Sequence, residues 1–259
     1  MKLLMFGDVV GEAGCAFFAK QAPLLRRQYG DALMVVNGEN SAKGNGITPQ
    51  SAAALFAAGA DVITTGNHCF RRKCDQIFEN PRILRPANYP EGAPGSGLCV
   101  LDCGAYSLAV INLMGTAFME PIDNPFSVID SLLEGLDTKN ILVDFHAEAT
   151  SEKRAMGWYL AGRVSAVIGT HTHVQTADEE ILDGKTGYLT DCGMSGGMRS
   201  VLGIVPEQAI TKQRFHRPVQ FTEAGSPCML NAVLLEIDTK SGICTKIERI
   251  FIKESTNYS

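Results

Sequence analysis

Several familiar signatures are missing from this chain of 259 residues. No uninterrupted apolar run approaches the roughly 18 residues of a membrane span, and the first short run reaches Asp8 without the apolar region of a signal peptide. We therefore expect a cytoplasmic protein. The phosphate-binding pattern GxxxxGK[ST] does not occur either, which argues against a P-loop nucleotide site.

Cysteine pairing and positive charge are also lacking. The eight cysteines form no CxxC pair, which is typical of reduced thiols and not of a disulfide framework. Among them Cys69 directly follows a histidine. Its thiol would serve as a metal ligand or as a redox-sensitive group, but the favoured interpretation is a small buried side chain that fills space in the core. The net charge of −5 argues against a broad nucleic-acid or anionic-membrane surface, while a small phosphorylated substrate stays compatible.

What the chain does contain is a pair of closely spaced histidines after an apolar run. Residues 164–168 are followed by Gly169-Thr170-His171-Thr172-His173, in a chain with only five histidines. Imidazole nitrogen is a common ligand of zinc, iron and manganese, and the exit of a strand leaves both rings free to converge on ions. Taken alone, the pattern is explained equally well by two loop histidines that are exposed to solvent and bind nothing.

The same arrangement recurs after four other short apolar runs. Such runs predict strands buried on both faces, and open α/β sheets place their ligands at the carboxyl ends of strands. Metal-capable residues at five strand ends predict one metal site. The runs 3–6, 33–36, 62–65 and 141–143 lead to Asp8, to Glu39 and Asn40, to Asn67 and His68, and to His146, respectively.

Helical and strand patterns alternate along the chain, which is the signature of an α/β protein. Pro23 predicts a kink or the start of a second helix, and Ser151 is expected to cap the helix that follows it. Helices are predicted at 12–29, 48–58, 126–134, 151–161 and 206–214. Later strands are predicted at 98–102, 108–112, 186–190, 229–236 and 245–252, and a second sheet packed on the first would use all five.

One domain over residues 1–259 is expected, because 45% hydrophobic and 20% charged residues are ordinary for a globular chain of this length. Two segments rich in glycine or proline interrupt the pattern. Residues 79–97 predict an ordered surface excursion. Residues 193–225 predict a lid or small cap over the strand ends, with apolar residues that would suit a homo-oligomer contact.

Taken in order, the motifs resemble those of the calcineurin-like metallophosphoesterases, and specifically of the bacterial YmdB-like branch. They are Gly7-Asp8-x-x-Gly11, Gly38-Glu39-Asn40, Gly66-Asn67-His68, DFHAEAT at 144–150 and GTHTH at 169–173. The resemblance spans nearly the whole chain. It implies a four-layer αββα sandwich, in which two mixed β-sheets are flanked by helices, and a two-metal phosphodiesterase that often acts on cyclic nucleotides.

The resemblance also implies which residues bind metal. Asp8, Glu39, Asn40 and His173 would hold one ion, and Glu39, Asn67, His146 and His171 would hold the other, so Glu39 bridges the pair and His171 and His173 bind different ions. The superfamily usually begins with D-x-H, yet position 10 is Val10, and Asn40 replaces the missing histidine. Nitrogen and oxygen ligands of this kind favour iron or manganese and also suit zinc.

Catalysis would use a hydroxide that bridges the two metals, roughly 4 Å apart, to attack phosphorus. His68 is the predicted catalytic residue, which stabilises the pentavalent phosphorus or protonates the leaving oxygen; its alternative is a structural histidine. Two other functions stay open: a phosphomonoesterase or nucleotidase, and a metal- or nucleotide-binding regulatory protein with little turnover. Two weaker signals would suit contacts with a phosphate. The glycines at 44 and 46 are better explained by a turn, and the basic run 71–73 is better explained by a solvated charge run.

Overall fold

The short apolar runs form strands of two β-sheets in the computed structural model, which describes residues 1–255. In chain order the strands are β1 (Lys2–Phe6), β2 (Asp8–Val9), β3 (Leu33–Asn37), β4 (Val62–Thr64), β5 (Leu98–Asp102), β6 (Ser107–Met114), β7 (Ile141–His146), β8 (Ala166–Thr170), β9 (Glu180–Leu182), β10 (Thr186–Leu189), β11 (Met194–Gly197), β12 (Cys228–Ile237) and β13 (Cys244–Lys253).

The first sheet has the order β2-β11-β12-β1-β3-β4, and β13 pairs with β12. Within it β1, β3 and β4 are parallel, while β12 runs antiparallel to β1 and β13. The second sheet has the order β5-β6-β7-β8-β10-β9, with a parallel centre and an antiparallel strand at each edge. Both sheets are therefore mixed, as expected.

The predicted placement of the last two strands is wrong, because β12 and β13 join the first sheet. Strands β1 and β12 lie side by side, with Lys2 opposite Glu236 and Phe6 opposite Ala232. Most of β12 is buried on both faces. A strand of that kind belongs inside a sheet that is covered on both sides, and alternation in the sequence does not reveal which of two such sheets it joins.

Five α-helices occupy the predicted segments: α1 (Gly11–Tyr29), α2 (Pro49–Ala57), α3 (Pro125–Glu134), α4 (Thr150–Leu160) and α5 (Pro206–Phe215). Pro23 lies inside the single helix α1, so the predicted second helix is wrong. The capping role of Ser151 is also wrong, because α4 begins at Thr150 and its N-cap is Ala149, whose side chain makes no capping bond. Among residues 1–255 no helix is both long and apolar enough to cross a bilayer.

Alternating side chains of the sheets build three apolar layers, which gives the αββα sandwich. Leu4 and Phe6 of β1 face α1, where the Phe6 and Phe18 rings meet edge to face with centroids 5.0 Å apart. Leu3 and Met5 of the same strand face the second sheet in a shared inner layer. The outer face of the second sheet packs against α3 and α4.

The two sheets approach closely at Gly187 of β10. A Cβ atom at this position would lie 2.8 Å from Cys244 Sγ and 3.0 Å from Leu235 Cδ2, both of which belong to the first sheet. A larger residue here would therefore have to push these two side chains aside. The parallel strands of both sheets also end on one side of the molecule, where the predicted ligands follow them.

We predict that Gly187→Val lowers the free energy of unfolding by about 1–3 kcal/mol, since the added side chain wedges the two sheets apart. Chemical denaturation followed by circular dichroism measures this loss. Gly225→Val is the matched control, because nothing lies within 4 Å of a Cβ atom at that position. Equal stability of the two variants would show that the inner layer tolerates extra volume.

Candidate metal centre

The ends of five strands bring the predicted ligands together. In the first sheet β1, β3 and β4 lead to Asp8, Glu39 and Asn67, and in the second sheet β7 and β8 end at His146 and just before His171. Asp8 and Glu39 are completely buried. A buried ionised carboxylate is costly unless hydrogen bonds or a cation compensate it, so the surroundings of these two groups define the site.

One set of predicted ligands surrounds the side-chain amide of Asn40. Its Nδ2 lies 3.3 Å from Asp8 Oδ1, 3.2 Å from Glu39 Oε1 and 3.2 Å from His173 Nε2. These three atoms all carry lone pairs and all face one point. A half-turn of the amide would place its Oδ1 beside them, and the four atoms would then offer lone pairs to a cation.

The second set surrounds His146. Its Nε2 lies 2.9 Å from Asn67 Oδ1, 3.3 Å from Glu39 Oε1 and 3.0 Å from His171 Nδ1. Donor atoms of Glu39, His146 and His171 all lie within 4.8 Å of one another. Glu39 Oε1 faces both sets, while the rings of His171 and His173 face different ones.

The loop that carries both histidines is held by carboxylates. His171 and His173 have φ angles of 104° and 65°, which are strained for residues other than glycine. Asp8 Oδ2 accepts the His171 N–H at 3.1 Å, and Asp191 Oδ2 accepts the Thr172 N–H at 3.0 Å. Asp191 is in turn paired with the buried Lys153 at 2.6 Å. The strain in this loop is thus offset by bonds to the backbone of His171 and Thr172.

Asp144 orients His146 through Thr170. The Thr170 hydroxyl donates to Asp144 Oδ1 at 2.7 Å, so its oxygen is left to accept from His146 Nδ1 at 2.9 Å. Thr64 also donates to Asp144. This chain of bonds keeps the proton of the imidazole on Nδ1 and leaves Nε2 as the atom for a cation, an arrangement common behind metal-bound histidines.

A backbone carbonyl orients His173 in the same way. Its Nδ1 lies 3.0 Å from the carbonyl oxygen of Leu202, so Nδ1 donates and Nε2 is turned toward Asp8. Leu202 belongs to the segment that follows β11, and Glu223 ties that segment down by accepting the Gly44 N–H. The predicted cap thereby contributes to the orientation of a predicted ligand.

The electrostatics of the site favour cations. Burial opposes ionisation of Glu39, but His146 and His68 outweigh it and hold the pKa of Glu39 well below its usual value. His173 similarly lowers the pKa of Asp8 against the effect of burial. Burial also opposes the charging of His146, yet Glu39 raises the pKa of that imidazole to about 9. The two carboxylates stay ionised and attract positive charge.

The pKa of His171 is shifted in the opposite direction from that of His146. Burial first, and then repulsion from His146, lower the pKa of His171 to about 4. The ring is therefore neutral around pH 7, with one nitrogen free of a proton. Its Nδ1 faces His146, and its Nε2 lies 3.1 Å from Glu148 Oε2.

His68 is anchored on the two predicted ligands that precede it. Its Nδ1 lies 3.0 Å from Glu39 Oε1 and 3.0 Å from Asn40 Oδ1, and its backbone N–H donates to Glu39 Oε2 at 3.0 Å. Two acceptors at Nδ1 place the proton there. The opposite edge of the ring, with Nε2, is turned away from Glu39 in the cleft that His68 lines.

The site opens through a cleft of about 250 Å³. All eight residues predicted from the sequence thus lie together, and the structure adds residues that the motifs did not single out. Glu148 stands beside His171 at the rim, Thr170 links Asp144 to His146, and Leu202 forms part of the wall. The lining residues are Glu39, Asn40, His68, Glu148, His171, Thr172, His173 and Leu202.

Three weaker sequence signals turn out to be structural. Gly44, Asn45 and Gly46 have φ angles of 69°, 72° and 83°, which confirms the turn. Arg72 donates to three carbonyl oxygens of that turn, whereas Arg71 and Lys73 are exposed, as expected of a solvated charge run. Cys69 is 1% exposed in the apolar core, and burial raises its pKa to about 12, as suits a filler.

The glycine-rich segment after Asp191 is part of the first sheet. Residues 194–197 form β11, which pairs with β2 and β12. Ser195 fits a G-x-S-x-G pattern, but its side chain is fully buried in this strand, whereas a nucleophilic serine must be exposed. Residues 194–197 are therefore a strand of the first sheet, and the buried Ser195 is not a nucleophile.

The residues present fit a pair of divalent cations. Two buried ionised carboxylates, three imidazoles and two amides form two sets of converging oxygen and nitrogen atoms, which is the ligand chemistry of dinuclear hydrolases. The shared carboxylate Glu39 lies between the sets, as a bridging ligand requires.

Comparisons with known proteins find relatives that match nearly the whole chain. The Bacillus subtilis (strain 168) protein named 2′,3′-cyclic-nucleotide 2′-phosphodiesterase is 45% identical over 98% of this chain and 98% of its own length. A hypothetical protein from Thermus thermophilus superposes with a TM-score of 0.94 at 39% identity, covering 98% of this chain and 100% of that chain. A novel phosphatase from Mycoplasma pneumoniae gives a TM-score of 0.94 at 33% identity, covering 99% and 95%.

The same relationship appears at the level of families. The model of the family described as YmdB-like protein matches residues 4–250, which include every predicted ligand and nearly all of both sheets. The resemblance carried by the five sequence motifs is thereby confirmed, and the chain belongs to the YmdB-like protein family.

Proposed function

We propose that this protein is a dinuclear metal-dependent phosphodiesterase that hydrolyses 2′,3′-cyclic nucleotides or a closely related small diester. The observation that carries the proposal is the convergence of two ligand sets on Glu39, whose Oε1 lies 3.2 Å from Asn40 Nδ2 and 3.3 Å from His146 Nε2. The relative from B. subtilis, named for this activity, supports the substrate class. The protein is accordingly a hydrolase of phosphodiester bonds.

Each ligand set would hold one divalent ion. Asp8, Glu39, Asn40 and His173 form the first site, and Glu39, Asn67, His146 and His171 form the second. Iron or manganese is the proposed pair, because carboxylate, amide and imidazole ligands suit both. When bound, the metal pair supplies Lewis-acid chemistry that polarises the phosphoryl group and lowers the pKa of the attacking water.

The protein ligands leave the site attractive to an anion. Asp8 and Glu39 contribute only two negative charges, while Asn40 and Asn67 are neutral. A substrate phosphodiester carries one negative charge and is drawn to the positive charge that these ligands do not neutralise. This local attraction operates although the whole chain has a net charge of −5.

His68 is proposed to hold the proton that the leaving oxygen needs. Water adds its oxygen to phosphorus and loses one proton to solvent, the bond from phosphorus to the ribose O2′ breaks, and the alkoxide takes a proton from His68 Nε2, which regains one from solvent. Glu39 holds both Nδ1 and the backbone N–H of His68, so the ring keeps its orientation during the transfer. The product of this reaction is a nucleoside 3′-phosphate.

We predict that the metal-loaded protein hydrolyses 2′,3′-cyclic nucleotides faster than 3′,5′-cyclic nucleotides, and bis-p-nitrophenyl phosphate faster than p-nitrophenyl phosphate. The measurement is a parallel rate screen with iron, manganese and zinc, with elemental analysis of each sample. Faster cleavage of the monoester would favour a phosphatase, as the name of the M. pneumoniae structure suggests for that protein. Tight nucleotide binding with negligible turnover under every metal would favour a regulatory role.

We predict that His171→Ala reduces bound metal from about two ions per chain toward one, because it removes a ligand from only the second set. Elemental analysis of the purified variant measures the content. His216→Ala is the matched control, since His216 is exposed at the end of α5, and it should keep the full content. Full metal content in His171→Ala would contradict the proposed ligand set.

We predict that His68→Ala keeps both ions but lowers kcat by about 10²- to 10⁴-fold, the usual contribution of a general acid. Rates with bis-p-nitrophenyl phosphate and elemental analysis of one sample separate the two effects, with His216→Ala as the control. Activity close to that of the native protein would exclude His68 as the acid. Joint loss of metal and activity would assign it to the support of Glu39.

A further inference from the structure

Phe118 combines two unfavourable features in one residue. Its side chain is 93% exposed, the highest value among the exposed large apolar residues of the described chain. Its φ angle is 63°, in the left-handed region that residues other than glycine rarely adopt. A single exposed apolar side chain is ordinary, but one presented on a strained backbone persists only where the surroundings hold it.

The loop around Phe118 is held by one carboxylate. Thr116 to Met119 form a turn in which the Met119 N–H donates to the Thr116 carbonyl at 3.4 Å. Glu152, from the first turn of α4, accepts the Thr116 N–H at 2.9 Å, the Thr116 hydroxyl at 3.2 Å and the Ala117 N–H at 3.3 Å. These bonds fix the turn, so the ring of Phe118 is presented to solvent by a rigid support.

The turn begins beside the loop that leads from His146 into the cleft. Met114, the last residue of β6, lies beside His146 of β7, and the Gly115 N–H donates to the His146 carbonyl at 3.0 Å. The two loops then run in contact, since a Cβ atom at Gly115 would lie 2.6 Å from Ala147 Cβ. The next residue, Glu148, lines the cleft. Phe118 is three residues beyond Gly115, within about 10 Å along the chain.

We infer that Phe118 is the platform on which the nucleobase of the substrate stacks, an inference that rests on the proposed function. In a nucleoside 2′,3′-cyclic phosphate the base lies across the ribose from the phosphate. With the phosphate at the metal ligands, the base therefore reaches the rim. The lining of the cleft is polar except for Leu202, and its aromatic rings are the three histidines already assigned to metal binding or acid catalysis, so the aromatic face left for a base is that of Phe118.

A stacking platform has a defined consequence for specificity. Every nucleobase has a π face, and stacking on an aromatic side chain tolerates all of them. The enzyme should accept 2′,3′-cyclic nucleotides of all four bases with similar KM values. A diester that carries no base should bind more weakly, because it loses this contact while its phosphate keeps all others.

The test compares Phe118→Ala, Phe118→Leu and Phe118→Tyr in the metal-loaded enzyme. For 2′,3′-cyclic adenosine monophosphate, the Ala and Leu variants should raise KM about tenfold with little change in kcat, within the range of base–aromatic stacking. The Tyr variant retains an aromatic face and should keep the native KM. For methyl riboside 2,3-cyclic phosphate, which has no base, the KM of all variants should equal that of the native enzyme.

Phe251→Ala is the matched control, because Phe251 is a half-exposed phenylalanine on β13, and it should leave both KM values unchanged. If the native enzyme cleaves the nucleotide and Phe118→Ala keeps its KM, the inference is wrong. A lower molecular mass of that variant in light scattering would then assign Phe118 to a contact between copies. If the native enzyme cleaves no cyclic nucleotide, the proposed function fails first and the inference fails with it.

Discussion

The site is organised by the burial of two ionised carboxylates, Asp8 and Glu39, at the point where strands of both sheets end. Each carboxylate would be unstable there without positive charge or hydrogen bonds close by. The structure provides these with imidazoles, amides and backbone N–H groups, most of which belong to residues that are themselves suited to bind metal. A cation that enters this pocket takes over the role of the protons and N–H groups that compensate the two carboxylates. The side chains that surround it are already in place.

Holding the ligands requires a second layer of residues, each of which acts on one ligand. Thr170 and Asp144 select the tautomer of His146, and the carbonyl of Leu202 selects that of His173. The buried pair of Lys153 and Asp191 keeps the strained histidine loop in place. Removing one partner of such a pair leaves an uncompensated buried charge, which makes this pair part of the stability of the loop as well as of its shape.

Much of this arrangement could be predicted from the sequence, because the ligands are chemically distinctive residues directly after apolar runs. The five helices follow from the same periodicity, while the sandwich of two mixed sheets is implied by the resemblance of the motifs to a known family. The membership of β12 in the first sheet could not be predicted, since a strand buried on both faces has the same pattern in either sheet. The role of Leu202 could not be predicted for another reason. Leu202 acts through its backbone carbonyl, a group that every residue possesses, and it lies 29 positions from His173 in the sequence.

Each proposed ligand set draws residues from both sheets: Asp8, Glu39 and Asn67 lie at the strand ends of one sheet, and His146, His171 and His173 at those of the other. The distance between the proposed ligands of one ion therefore depends on the separation of the two sheets at these ends. That distance is determined by the inner apolar layer, in which Leu3 and Met5 pack against the second sheet. The packing of the hydrophobic core thus sets the spacing between the proposed ligands. Substitutions among the core side chains are therefore limited by coordination chemistry as well as by folding.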